Sequence, residues 1–129
     1  SQRSGKNRVG VFYSENLNYG HCQVISVSGT TPSTTGAIQQ FSNNYMTNQT
    51  SAGIDSTTSS SSTVMLSYME AWGGGTGNKQ LLRAFEVGSS SMSYGSEFDM
   101  TSNFQNTEQC PIVYHTPTSQ FCIFGIIPP

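Results

Sequence analysis

Charge is in short supply in this sequence. Lys and Arg together number five and Asp and Glu seven, so charged residues make up 9% of the chain, against about 25% in ordinary globular domains. The hydrophobic fraction is also low, at 34%. Ser, Thr, Asn, Gln and Gly fill the gap, so the surface must be neutral and rich in hydroxyl and amide groups. Disorder does not follow, because disordered chains combine high net charge with few aromatics. Here the net charge is -2, and seven Phe, six Tyr and one Trp can furnish a core. A surface with so little charge repels its own copies weakly. That suits packing against a neighbour as well as it suits a neutral secreted monomer.

Lys and Arg are absent from the whole stretch between Arg8 and Lys79. Arg3, Lys6 and Arg8 crowd into "SQRSGKNR", which reads as an N-terminal arm, residues 1–8, ahead of a single domain over 9–129. Affinity for nucleic acid grows with the number of phosphates neutralised. Three cations exclude strong binding by one copy, although many copies in a shell would add. The arm is expected to lie on a neighbouring copy. Long apolar runs are missing too. The longest, "FCIFGII" at 121–127, falls far short of the ~20 residues of a membrane-spanning helix, so no membrane span is expected. The leading Ser1 fits either loss of an initiator Met or cleavage of a leader, and these imply opposite compartments.

Helix formers are scarce, with four Ala, four Leu and two Lys in the chain. What is present is β-branched and aromatic residues in short runs, punctuated by Gly, Ser, Asn and Pro. Strands are expected at 8–13, 21–28, 36–41, 63–72, 79–87, 96–100, 111–115 and 120–127. Val9, Val11 and Tyr13 share one face of their strand, as do Val64, Leu66 and Tyr68, and Leu81, Phe85 and Val87. About eight short antiparallel strands point to an all-β sandwich or a jelly-roll-like barrel. The glycine-rich "WGGGTGNK" joins two strong strands and reads as a hairpin connection, since no helix with Lys-Ser or Lys-Thr follows as phosphate binding requires. The Gln/Asn-rich "QQFSNNYMTNQT" reads as a polar outer strand. The segments 28–36 and 51–63 read as loops.

Catalytic patterns are missing as well. No G-x-S-x-G occurs, and Cys22 and His21, adjacent on a strand, point to opposite faces. Glu70 and Glu86 form the first carboxylate pair to consider, with both expected to face outward. Cys22, His21, Cys110, His115 and Cys122 lack the close pairs of zinc sites. No enzyme activity, metal or cofactor is therefore expected. In "CPIVYHTPTSQFC" (110–122), a turn centred on Thr116 would set Cys110 opposite Cys122, and a disulfide there is the favoured reading over reduced, buried thiols. The last strand is apolar on both faces, which places Phe124 and Ile126 in a subunit interface or the centre of the sheet.

Two function classes fit these features. The first is a non-enzymatic structural subunit of a virion shell or fibre, or of an extracellular pilus-like filament. Its partners are copies of itself, and its interface holds Arg3, Lys6, Arg8, Phe124 and Ile126. The second is a carbohydrate-binding or adhesion module that stacks sugar rings on aromatics, with Tyr68, Trp72, Asn78, Tyr94 and Asp99 as its site.

Overall fold

The computed structural model describes residues 8–15, 19–53, 63–71, 78–102 and 110–125. They form ten strands: β1 (Arg8–Glu15), β2 (Tyr19–Ser28), β3 (Thr31–Thr34), β4 (Gln39–Gly53), β5 (Thr63–Ala71), β6 (Asn78–Val87), β7 (Met92–Tyr94), β8 (Phe98–Asp99), β9 (Ile112–His115) and β10 (Gln120–Ile123). Every pairing among them is antiparallel. The main sheet runs β1-β2-β4-β5-β6-β7, with β3 added to β2 and β8 to β6, while β9 and β10 form a second sheet that packs against β4 and β5. The chain is all-β, as its composition requires. Apart from β3, which adds to β2, and β8, which adds to β6, neighbours in the sheet follow one another in sequence, so the path is a meander.

The meander coils until its ends meet. Phe12 on β1 contacts Phe85 on β6, with ring centroids 4.8 Å apart. Gln39 at the start of β4 donates its amide to Met92 O at 2.9 Å and accepts Met92 N–H at 2.7 Å, acting as one more rung of backbone ladder. Where the β3–β4 and β6–β7 connections touch, a Cβ on Gly36 would sit 1.6 Å from Ser90 O. Only glycine lets these backbones approach so closely.

The enclosed face carries the core: Cys22, Val24, Phe41, Met46, Val64, Leu66, Tyr68, Leu81, Phe85, Val87 and Met92, with Phe12 packed against it. Phe41 meets Phe12, Tyr68 and Phe85 edge-on, the arrangement aromatic quadrupoles favour. The period-two readings of β5 and β6 hold. The two strands pair from Thr63↔Glu86 to Ala71↔Asn78, as the hairpin reading of the glycine-rich connection required. The connection itself, residues 72–77, lies outside the described residues.

Four expectations are corrected here. In β1 the inward face carries Gly10 and Phe12, while Val9, Val11 and Tyr13 are half-buried. Phe12 offers the largest apolar surface, and a Cβ on Gly10 would lie 3.0 Å from Met92 Cε and 3.2 Å from Val87 Cγ2, so those side chains fill its place. Arg8 belongs to β1, paired with Ser26, and not to an arm; Arg3 and Lys6 lie outside the described residues. The Gln/Asn-rich tract lies in β4, an inner strand between β2 and β5. Register shifts on both its edges let this polar strand turn Phe41 and Met46 into the core, the usual work of a bulge. The segment 28–36 also contains a strand, β3, short and exposed along its length with Pro32 in it, as befits a sheet edge.

The hairpin at the end of the chain forms, but in a different register from the symmetric one. Thr116–Thr118 make a 3-10 turn and Ser119 adopts a left-handed conformation (φ 54°) with its N–H on Thr116 O at 3.1 Å. His115 Nδ1 lies 2.6 Å from Thr118 Oγ1 across this turn. Four residues are thus used in the bend, and the ladder begins at Gln120↔His115, which sets Cys122 opposite Val113 rather than Cys110. All three cysteines are free thiols in this structure. β10 ends at Ile123. Phe124 still donates its N–H to Pro111 O at 2.9 Å, but it is 57% exposed and far from any central position in the main sheet. Ile126 lies outside the described residues.

Candidate functional site

One of the residues that suggest a glycan site in the sequence is excluded from it by burial. Tyr68 is completely buried in the core, so its ring cannot serve as a sugar platform. Trp72 lies outside the described residues, and Asn78 opens β6 opposite Ala71. Tyr94 and Asp99 are exposed. Tyr94 borders a shallow hollow lined also by Ala84, Phe85, Glu86, Ser93 and Gly95. Asp99 accepts Thr101 N–H at 2.9 Å, and its bonds with Thr101 hold its carboxyl below the ordinary range. Glu86 is exposed and accepts a bond from Thr63.

Glu70 departs from its expected outward position. It is 1% exposed, because it continues the inward series Val64, Leu66, Tyr68. A buried carboxylate must be hydrogen-bonded. β4 supplies the donors: Ser42 Oγ to Glu70 Oε1 and Asn44 Nδ2 to Glu70 Oε2, each at 2.8 Å. Its true carboxylate neighbour is Glu97, in the β7–β8 connection, and not Glu86. Burial first, and then the charge of Glu70, hold the Glu97 carboxyl above its ordinary value, partly offset by Arg83.

Arg83 occupies the inward face of β6 between Leu81 and Phe85. Its Nη1 donates to Phe41 O at 2.7 Å and its Nε to Gly95 O at 2.8 Å. Its guanidinium stacks on Tyr94, 4.8 Å from the ring centroid, and Nη1 stands 3.7 Å from Glu97 Oε1. The Tyr68 hydroxyl, buried beside Glu97, has no hydrogen-bond partner of normal geometry. Burial and the nearby carboxylates push it far above the usual phenol range. Reasoning from the sequence misses Ser42, Asn44, Arg83 and Glu97. Two strand readings carried the signal: Glu70 and Arg83 fall in phase with apolar residues.

The other face of the main sheet holds a second polar group. Gln80 Nε2 donates to Ser67 Oγ at 3.0 Å, and burial pushes the Cys110 thiol up, with Ser67 acting against it. Cys22 is pushed up to about 11 by burial. Neither thiol is a nucleophile at neutral pH, where the thiolate is the reactive form. Among the described residues no group of three or more His, Cys, Asp or Glu comes together to hold a metal ion.

The β9–β10 hairpin has two unlike faces. Ile112 is buried, and Tyr114 and Phe121 contact each other with centroids 5.0 Å apart. The opposite face presents Val113, 49% exposed, and Phe124, 57% exposed, with the partly exposed Cys122 paired to Val113 between them. Cross-strand partners share a face, so these residues make one apolar stripe. Compared with known proteins, the chain matches no family model, no curated protein and no solved structure. No helix among the described residues is long and apolar enough to cross a membrane.

Proposed function

We propose that this protein is a non-enzymatic structural subunit whose copies associate into a virion shell or fibre, or into an extracellular filament. The observation that carries this reading is the outward stripe Val113–Cys122–Phe124. Exposed aromatic and aliphatic side chains in one patch mark interaction surfaces, and burying a side chain of this size is worth ~1.5–3 kcal/mol. The stripe lies on a hairpin outside the main sheet, where it can dock without disturbing the core. A chain with net charge -2 sets up little repulsion against copies of itself. Among the described residues β3 pairs only with β2 and β10 only with β9, and strand pairing between copies along their other edges would extend a sheet.

Sedimentation velocity and electron microscopy of the purified protein test the reading. Large regular assemblies are expected, and Phe124→Ser should shift them to monomer while leaving the β-sheet circular dichroism unchanged. A wild-type protein that stays monomeric at high concentration would refute self-assembly through this face.

A further inference from the structure

The outer face of β6 and β7 carries a hollow whose origin is local. Alternate side chains of a strand share a face, so Leu82, Ala84 and Glu86 point the same way. Across the ladder Leu82 meets Phe98 and Glu86 meets Ser93, while Gly95 donates its N–H to Ala84 O at 3.2 Å. Ala84 and Gly95 are thus small residues set between larger ones. They leave a mainly apolar gap of about 210 Å³, lined by Ala84, Phe85, Glu86, Ser93, Tyr94 and Gly95. A Cβ built on Gly95 would meet no atom within 4 Å. Phe98, 62% exposed, extends the apolar surface on one side.

The same chain carries a projecting group that matches this gap. Phe124 stands out from the β9–β10 hairpin at the end of the Val113–Cys122–Phe124 stripe. A cavity of ~150 Å³ takes up benzene, so the hollow has room for a phenyl ring. Residues 110–125 contain no Asp, Glu, Lys or Arg. The hairpin therefore sets no carboxylate against Glu86 at the rim, and it buries no unpaired charge of its own, which would cost more than the ring gains. Phe124, Ala84 and Gly95 are all exposed in one copy, so the ring does not fill the hollow of its own chain.

We infer that Phe124 of one copy seats in the Ala84–Gly95 hollow of the next. This rests on the self-assembly reading above and supplies the surface that receives the stripe. An aromatic ring anchored in a pocket is the usual energetic centre of a protein interface. Each copy offers one ring and one hollow on different elements, so the contact is heterologous. Heterologous contacts repeat from copy to copy and give rings or open filaments.

Filling the hollow tests this without touching the hairpin. Gly95→Leu and, separately, Ala84→Leu should keep the wild-type circular dichroism and unfolding midpoint, yet sediment as monomers where wild type forms large assemblies. Two variants that each lack one half should then complement each other. In isotope-labelled Phe124→Ser, adding unlabelled Gly95→Leu is expected to shift the amide signals of Ala84, Glu86, Ser93 and Gly95. Growth should stop at a one-to-one pair. Assembly of both filled variants as wild type does, with Phe124→Ser still monomeric, would overturn the hollow as the seat while leaving self-assembly through the stripe intact. An absence of shifts at the hollow in the mixture would also overturn it, since the stripes would then pair with each other. So would shifts that persist when the added protein carries Phe124→Ser as well, because another part of the neighbour would be the occupant. A wild-type protein that stays monomeric would remove the assembly reading and this contact together.

Discussion

At the scale of the residue, the most informative position is Glu70, a carboxylate sealed in a β core by two neutral donors. A hydrogen bond to a charged group contributes about 1.5–3 kcal/mol. Ser42→Ala should therefore lower the unfolding free energy by about that amount in urea titrations at neutral pH. An unchanged midpoint would mean that water replaces the hydroxyl. The thiols give a second test. Burial holds Cys22 at about 11 and Cys110 above its ordinary value, whereas Cys122 is only half-buried. In the native protein a thiol reagent should label Cys122 first, with Cys22 and Cys110 reacting only on unfolding. Labelling of no thiol, with a mass two hydrogens lower than the reduced chain, would restore the disulfide reading. Glu70 and Arg83 were legible in the sequence to anyone who carried the period of two through the charged positions of β5 and β6. Glu97 was not, because nothing local places a loop carboxyl beside a strand that lies well before it in the chain.

At the scale of the element, alternation identified β5 and β6 because both strands have one apolar face and strong neighbours. It failed on β1, where glycine hides the inward position, and on β4, whose core residues Phe41 and Met46 are separated by polar ones at a spacing that only bulges make sense of. The disulfide geometry was illegible for a similar reason. A symmetric turn was the simplest reading of the spacing, but the 3-10 bend with left-handed Ser119 spends residues that the symmetric ladder would have paired. Closure of the main sheet also escaped the sequence, since it depends on Gly36 lying under Ser90 O, 1.6 Å from where a Cβ would stand. That contact is with backbone and cannot swing aside. Gly36→Ala should lower stability by about 1–3 kcal/mol or more. Gly95→Ala, with nothing within 4 Å of its Cβ, should cost far less in the same denaturation experiment.

At the scale of the whole molecule, scarcity of charge makes a specific claim about how copies would hold together. Contacts built on the Val113–Cys122–Phe124 stripe are apolar, and apolar association is strengthened by sulfate, which is excluded from protein surfaces. Contacts built on Arg3 and Lys6 would be electrostatic, and screening would weaken them as the Debye length falls from about 10 Å at 0.1 M to about 3 Å at 1 M. The two modes therefore respond to salt in opposite senses. If the hairpin face carries the assembly, light scattering should show assemblies that persist in sodium chloride at about 1 M and grow when ammonium sulfate is added. Deleting residues 1–7 should then slow or misdirect growth without abolishing it, while Phe124→Ser abolishes it in every buffer. Dissolution by sodium chloride alone, with Phe124→Ser assembling as wild type does, would move the interface from the hairpin to the basic arm.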